Sequence, residues 1–165
     1  MNIRLLAPND SDAYRNIRLM ALQKHPEAFA SSYEEETAYS KDVYKNRFQT
    51  ENSFTFGAFE NEELLGTVTL LKETKLKLKH RANIVAMYVS PEKRRMGIGK
   101  ALIANALEKA KELGEVEQVY LSVEATNEPA KKLYESFGFE VYAEEKRALK
   151  IGNTYYDEEH MVLFF

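Results

Sequence analysis

The 165-residue chain contains no cysteine, three histidines, seven glycines and four prolines. The absence of thiols excludes disulfides, thiolate catalysis and cysteine-ligated zinc. His25, His80 and His160 stand far apart with no ligand spacing, so no metal site is expected. No apolar run approaches the roughly 20 residues of a membrane span. Arg4, Asp10, Asp12 and Arg15 fall where a secretory leader needs an apolar core, and a cytoplasmic protein is the default expectation. The net charge is only −3, which argues against a general nucleic-acid binder. No glycine-, proline- or serine-rich run, repeat or low-complexity segment divides the sequence. Apolar residues make up 44% of it, enough for one substantial core, so residues 1–165 are expected to form a single domain.

The elements alternate as in an α/β domain. Residues 3–6 predict a strand ended near Pro8, and Asp10 or Ser11 can cap a helix running to about Lys24. Residues 26–39 look irregular, and a helix is expected from about Ser40 through Phe48. Residues 54–59 and 64–71 predict a hairpin around Glu60-Asn61-Glu62-Glu63, and residues 84–89 another strand. A helix from Ile98 follows, with Leu102, Ala106 and Ala110 four apart and Ile103 and Leu107 beside them. Val119, Leu121 and Val123 mark a strand of period two, and Gly152-Asn153 joins a last pair at about 143–150 and 154–163.

Between the strand at 84–89 and the helix from Ile98 runs Ser90-Pro91-Glu92-Lys93-Arg94-Arg95-Met96-Gly97. Pro91 stops the strand because it lacks a ladder N–H. A glycine loop feeding a helix presents unpaired N–H groups and a partial positive charge, which suits phosphate. Arg94, Arg95 and Lys100 add full charges. A Walker loop would need glycine at Arg94 and Ser or Thr at Ala101, and a dinucleotide fingerprint would need glycine at Leu102. Both fail. What remains is Arg-x-x-Gly-x-Gly.

A second segment runs from Asn127 to Phe139. Thr126 or Asn127 can cap a short helix with Pro129 in its first turn, Ala130, Leu133, Tyr134 and Phe137 on one face, and Gly138 as its left-handed stop. Together the two motifs, over about residues 84–142, resemble the signatures of the GCN5-related N-acetyltransferase (GNAT) superfamily: Arg-x-x-Gly-x-Gly, then Asn-x-x-Ala-x-x-x-Tyr-x-x-x-Gly-Phe. The resemblance implies an α/β (α+β) fold. Its sheet is mixed, mostly antiparallel, of about seven strands with helices on both faces, in the order β-α-α-β-β-β-α-β-α-β-β. It also implies acetyl-CoA as co-substrate and no metal. The pyrophosphate would lie over the amides of about Arg95 to Lys100, that is Arg95, Met96, Gly97, Ile98, Gly99 and Lys100, with Arg94 and Ala101 also among the cofactor-binding residues. The pantetheine arm would run beside Met87, Tyr88 and Val89, with Asn127, Ala130, Leu133 and Tyr134 on its other side.

Acyl transfer to an amine needs a held donor, an uncharged amine and a stabilised leaving thiolate. At the matching family position a tyrosine commonly protonates the thiolate, which makes Tyr134 the candidate general acid; a core aromatic is the alternative. A lysine-like amine of pKa about 10.4 is neutral in about one molecule in 2,500 at pH 7, a barrier of roughly 4–5 kcal/mol, so a proton path is expected. The glutamate that serves the histone-acetylating branch is replaced here by Asn83, which cannot take a proton. Glu124, His80 and a water relay remain as candidate bases.

The acceptor stays open. Residues 26–39, rich in carboxylates and aromatics, suit a cationic amine or form a solvated acidic loop. The basic run from Lys72 to Arg81, with Leu76 and Leu78 interleaved, reads as a half-exposed strand whose charged face blocks edge pairing. The expected partner is a small-molecule, peptide or protein amine, with neither nucleic acid nor membrane, and a homodimer stays open. Two functions from different classes stand: an acetyl-CoA-dependent N-acetyltransferase using direct attack in a ternary complex, and a non-catalytic acyl-CoA sensor or scaffold.

Overall fold

In the computed structural model, which describes residues 1–165, β1 (Asn2–Leu5) leads into three helices, α1 (Ser11–Lys24), α2 (Tyr33–Thr37) and α3 (Lys41–Phe48). There follow β2 (Ser53–Glu60), β3 (Glu63–Lys72), β4 (Arg81–Val89), α4 (Ile98–Glu112), β5 (Gln118–Glu124), α5 (Glu128–Glu135), β6 (Glu140–Ile151) and β7 (Thr154–Phe164). All seven strands form one sheet in the order β1-β2-β3-β4-β5-β7-β6. Every pair is antiparallel except β4–β5.

Three local expectations are corrected. Residues 26–39 are ordered into a 3₁₀ turn at Pro26–Ala28 and the extra helix α2. Ser32 caps α2 by accepting from Glu35 N, and its own N–H donates to the Glu35 carboxylate. The basic run is no strand. Lys72 ends β3, Arg81 opens β4, and Leu76–Leu78 make a 3₁₀ turn in which Leu76 is 84% exposed. The leucines have no sheet face to bury, so their alternation with lysine was not a strand period. β4 accordingly starts three residues earlier than expected, and the final hairpin is longer at both ends.

Helices cover both faces. α4 lays Ile98, Leu102, Ile103, Ala106, Leu107 and Ala110 onto one side of the sheet, against Phe56, Leu65, Val68, Leu70, Ile84, Val119 and Leu121. α1 and α3 bury Tyr14, Ile17, Ala21 and Tyr44 against the other, with Phe59, Leu64 and Tyr88. The feature that positions the site is where β4 and β5 part. Their parallel pairing spans only Arg81↔Gln118, Ala82↔Val119 and Asn83↔Tyr120. Beyond Asn83 and Tyr120 the strands diverge into a V. A bulge in β4 marks the divergence: Thr67↔Tyr88 and Thr69↔Val85 enclose one extra residue, with Ala86 at φ +53°.

Candidate active site

The Ser90–Gly97 loop lies at the mouth of the V, between the end of β4 and the start of α4. Two of its residues are left-handed, Arg95 at φ +63° and Gly97 at φ +79°. For arginine this conformation costs roughly 1–2 kcal/mol, and such strain concentrates at functional loops. Gly97 caps α4, and the first helical bond runs from Ala101 N to Gly97 O. The amides of Ile98, Gly99 and Lys100 therefore have no partner within the helix and point out of its positive end. Alternating left-handed residues before such an end form an anion cradle. Arg95, Met96 and Lys100 are exposed around it, whereas Ile98 is 3% exposed and belongs to the core.

Gly99 faces the inside of the V. A β-carbon there would lie 3.2 Å from Met87 Cε and 3.3 Å from Leu133 Cδ2. β4, α4 and α5 thus converge on one point, and the glycine keeps it open. Met87, Val89, Ala130 and Leu133 pack partly buried around this side. Tyr134 is 6% exposed, its ring 6.0 Å from that of Phe139. Burial alone pushes its hydroxyl up to about 12. Gly138 at φ +97° and the bond from Phe139 N to Tyr134 O end α5 and fold Phe139 back over it.

Several expected contacts are otherwise engaged. Arg94 turns back: its Nε donates to Val89 O at 3.1 Å and its Nη2 lies 3.2 Å from His25 Nε2, so it braces the loop against β4 and the end of α1. The Tyr88 ring lies among the α1 side chains, its hydroxyl buried without a partner and raised above the usual tyrosine value by burial; only its main chain can border the V. Asn127 Oδ1 accepts from Ala130 N at 3.3 Å as the cap of α5. Glu124 Oε2 accepts from Thr126 N at 3.0 Å and Thr126 Oγ1 at 2.6 Å, in the turn that leaves β5. His80 precedes the paired segment of β4 and sits at the closed end of the V, its carbonyl accepting from Glu117 N and Gln118 N. Asn83 donates to Glu73 at 3.1 Å.

On the α1 face of the diverging strands is a polar cluster that sequence spacing did not disclose. Ser122 Oγ lies 2.7 Å from His160 Nδ1, and His160 Nε2 lies 2.6 Å from Glu145 Oε2. Glu124 and Glu158 face each other across β5 and β7. Burial raises the Glu158 carboxyl; the His160 ring opposes this, and the charges of Glu145 and Glu124 add to it. The Pro26–Ala28 turn packs near β5 and brings the start of the acidic segment to this face. Ser122 and His160 are 38 residues apart, His160 and Glu145 15; only strand register could have joined them. No group of three or more His, Asp or Glu side chains is arranged to hold a metal ion, and no helix is long and apolar enough to cross a membrane.

The comparisons agree with this geometry. The chain is 31% identical to a probable acetyltransferase from Staphylococcus epidermidis, at TM-score 0.79 over 99% of this chain and 98% of that one. The fold also matches yncA from Salmonella typhimurium, solved with its cofactor acetyl-CoA, at TM-score 0.87 and 19% identity over 99% and 93% of the two chains. Among curated proteins it is 35% identical to an N-alpha-acetyltransferase of Sulfolobus acidocaldarius over 79 residues, 48% of this chain and 43% of that protein. It is 33% identical to human N-alpha-acetyltransferase 30 over 99 residues, 59% of this chain and 27% of that protein. The chain therefore spans less than half the length of these curated relatives. The profile of the Acetyltransferase (GNAT) family matches residues 18–139, about three quarters of the chain, and the protein belongs to that family.

Proposed function

We propose that this chain transfers the acetyl group of acetyl-CoA to the α-amine of a peptide or protein N-terminus. The observation that carries the proposal is the open V, with a left-handed basic loop and free helix amides at its mouth and the Tyr134 side chain on the α5 wall. Acetyl-CoA supplies the activated acetyl group as a thioester. The amides of Ile98, Gly99 and Lys100, with the charges of Arg95 and Lys100, would hold its pyrophosphate. The unpaired edge of β4 from Ile84 to Val89 would accept the pantetheine arm. Gly99 leaves that path clear.

Tyr134 would donate to the leaving sulfur. With its hydroxyl at about 12, it is protonated at every ordinary pH. Full transfer to a thiolate of pKa about 8.5 would be uphill by about 5 kcal/mol. Its contribution is thus a hydrogen bond that strengthens as negative charge develops. The α-amine acceptor is supported by the names of the N-alpha-acetyltransferase relatives. Proton economy supports it too. An α-amine of pKa about 7.7–8.0 is neutral in about one molecule in six to eleven at pH 7, which removes roughly 3.5 kcal/mol of the burden a lysine imposes.

The test is acetyl-CoA turnover on a peptide panel, read by thiol release and by the position of the acetyl group. Transfer to free N-termini, and none to the same peptides with blocked N-termini and free lysines, is expected. Tight CoA binding without thiol release on any amine would assign the chain to the binding-module class instead.

A further inference from the structure

We propose that Ser122, His160 and Glu145 form a relay that takes the proton from the acceptor amine, with Ser122 Oγ the atom that meets the amine. This rests on the acetyl-transfer reading above. α4 and α5 close one face of the V, so an acceptor must approach from the α1 face. Past Tyr120, the β5 side chains on the closed face are Leu121 and Val123, both core residues. Those on the α1 face are Ser122 and Glu124 by strand alternation. The Glu124 oxygen Oε2 is occupied by two bonds from Thr126, whereas Ser122 is exposed and bonded to a histidine.

The distances fix the direction of the relay. An ionised Glu145 carboxylate can only accept, so the neutral His160 ring carries its hydrogen on Nε2, 2.6 Å from Glu145 Oε2. Nδ1 is then a lone pair, and at 2.7 Å it accepts the Ser122 hydroxyl hydrogen. Ser122 Oγ keeps its own lone pairs turned outward to take a hydrogen from an amine. When the C–N bond forms and the C–S bond breaks, the nitrogen of an ammonium acceptor gives up two protons in all. One passes through Ser122 Oγ to His160 Nδ1, and from the part-exposed ring to water; the other ends on the departing sulfur. No oxidant or reductant enters.

The groups facing His160 suit this role. Glu145 comes from β6, Glu158 from β7 itself, Glu124 from β5, and the Tyr142 ring lies 6.2 Å away. Lys131 of α5 is bound to Glu159 on the opposite face, so it does not supply a competing cation. Carboxylates therefore surround the ring that receives the proton. A cationic N-terminus is drawn to the same place.

The test compares two acceptors on the intact protein: a peptide with a free α-amine, and the same peptide ending in an aminooxy group, which is neutral at pH 7 and needs no base before attack. For the α-amine peptide at pH 7, His160→Gln and Ser122→Ala should each lower kcat by up to about tenfold with KM little changed, because without a base only about one α-amine in six to eleven is neutral. Glu145→Gln, which only positions the ring, should cost less than either. Toward the aminooxy peptide all three should stay close to wild type, and thermal midpoints should hold. Unchanged kcat on the α-amine peptide, or equal losses on both peptides, would overturn the relay and leave the acetyl-transfer reading standing. A wild-type protein that acetylates neither peptide would overturn both.

Discussion

Gly99 of α4 and Leu133 of α5 approach so closely that a β-carbon on the glycine would stand 3.3 Å from Leu133 Cδ2, with Met87 Cε 3.2 Å away on the other side. Such contacts are tight, and side chains can yield by a few tenths of an ångström. Gly99→Ala should therefore fold with a small loss of stability. Gly99→Val puts two further methyls into the V and should abolish measurable CoA binding in calorimetry. Gly97 is different: nothing lies within 4 Å of its missing β-carbon, but its φ is +79°. Gly97→Ala should lose stability by about 1 kcal/mol, with CoA binding weakened less than by Gly99→Val. Equal CoA affinity in wild type and Gly99→Val would remove this face of α4 from the site.

Tyr134→Phe removes the hydroxyl and keeps the ring against Phe139. As a donor to developing charge, the hydroxyl should be worth about 10²–10³-fold in kcat, with KM and CoA affinity little changed because the bond matters mainly in the transition state. Burial holds its value at about 12, so its neutral, donating form persists and should produce no alkaline loss of kcat below about pH 10. Full turnover with lost stability would return the residue to the core.

Most individual strands and helices, both glycine motifs and the α5 cap and stop were legible because each is local, whereas the single sheet with helices on both faces was implied only by the resemblance. A 3.6-residue period, a strand ending at Pro91 and a left-handed Gly138 leave marks within a few residues of one another. Ile98 to Ala110 bury as their spacing implies. The divergence of β4 from β5 was not legible in composition or period, since it depends on which pairs of a parallel ladder stop forming. Nor was the use made of side chains already named. Asn127, Glu124 and Arg94 have the right chemistry and the right place, yet backbone groups nearby claim one oxygen of each carboxyl or amide and the Arg94 Nε. The Lys72–Arg81 run misled because two leucines in alternation satisfy a strand template without any face to bury them.

Arg95 offers a separation of stability from binding. At φ +63° its backbone is strained, and glycine adopts that conformation freely. Arg95→Gly should therefore be neutral to stabilising by up to about 1 kcal/mol, after the entropic cost of glycine is subtracted. The same change removes an exposed charge beside the helix amides and should weaken CoA binding about tenfold in a salt-dependent way. A thermal midpoint that falls while CoA affinity holds would show that the strain serves the fold and not the ligand.

The strongest test of the helical layer is Arg18 and Glu36. Arg18 Nε and Nη2 grip the Glu36 carboxylate at 3.0 and 2.7 Å, and the Tyr44 hydroxyl donates to the second oxygen at 3.0 Å. Burial alone would raise the Glu36 carboxyl; the Arg18 guanidinium and the hydroxyl outweigh it and hold it below the usual range. Its folded value is thus depressed, so the stabilisation is complete above the unfolded value of about 4.3 and is lost as pH falls through the lower, folded one. Glu36→Gln leaves Arg18 with only 11% of its side chain exposed and no counter-charge, a cost of about 3–5 kcal/mol at pH 7. The wild-type advantage in denaturant midpoint should shrink steadily below about pH 4.3. Replacing both partners, Arg18→Met with Glu36→Leu, should recover most of the loss, because the desolvation cost disappears with the charge. If the double variant is no more stable than Glu36→Gln, the pair is holding α1 to α2 by geometry that apolar side chains cannot supply.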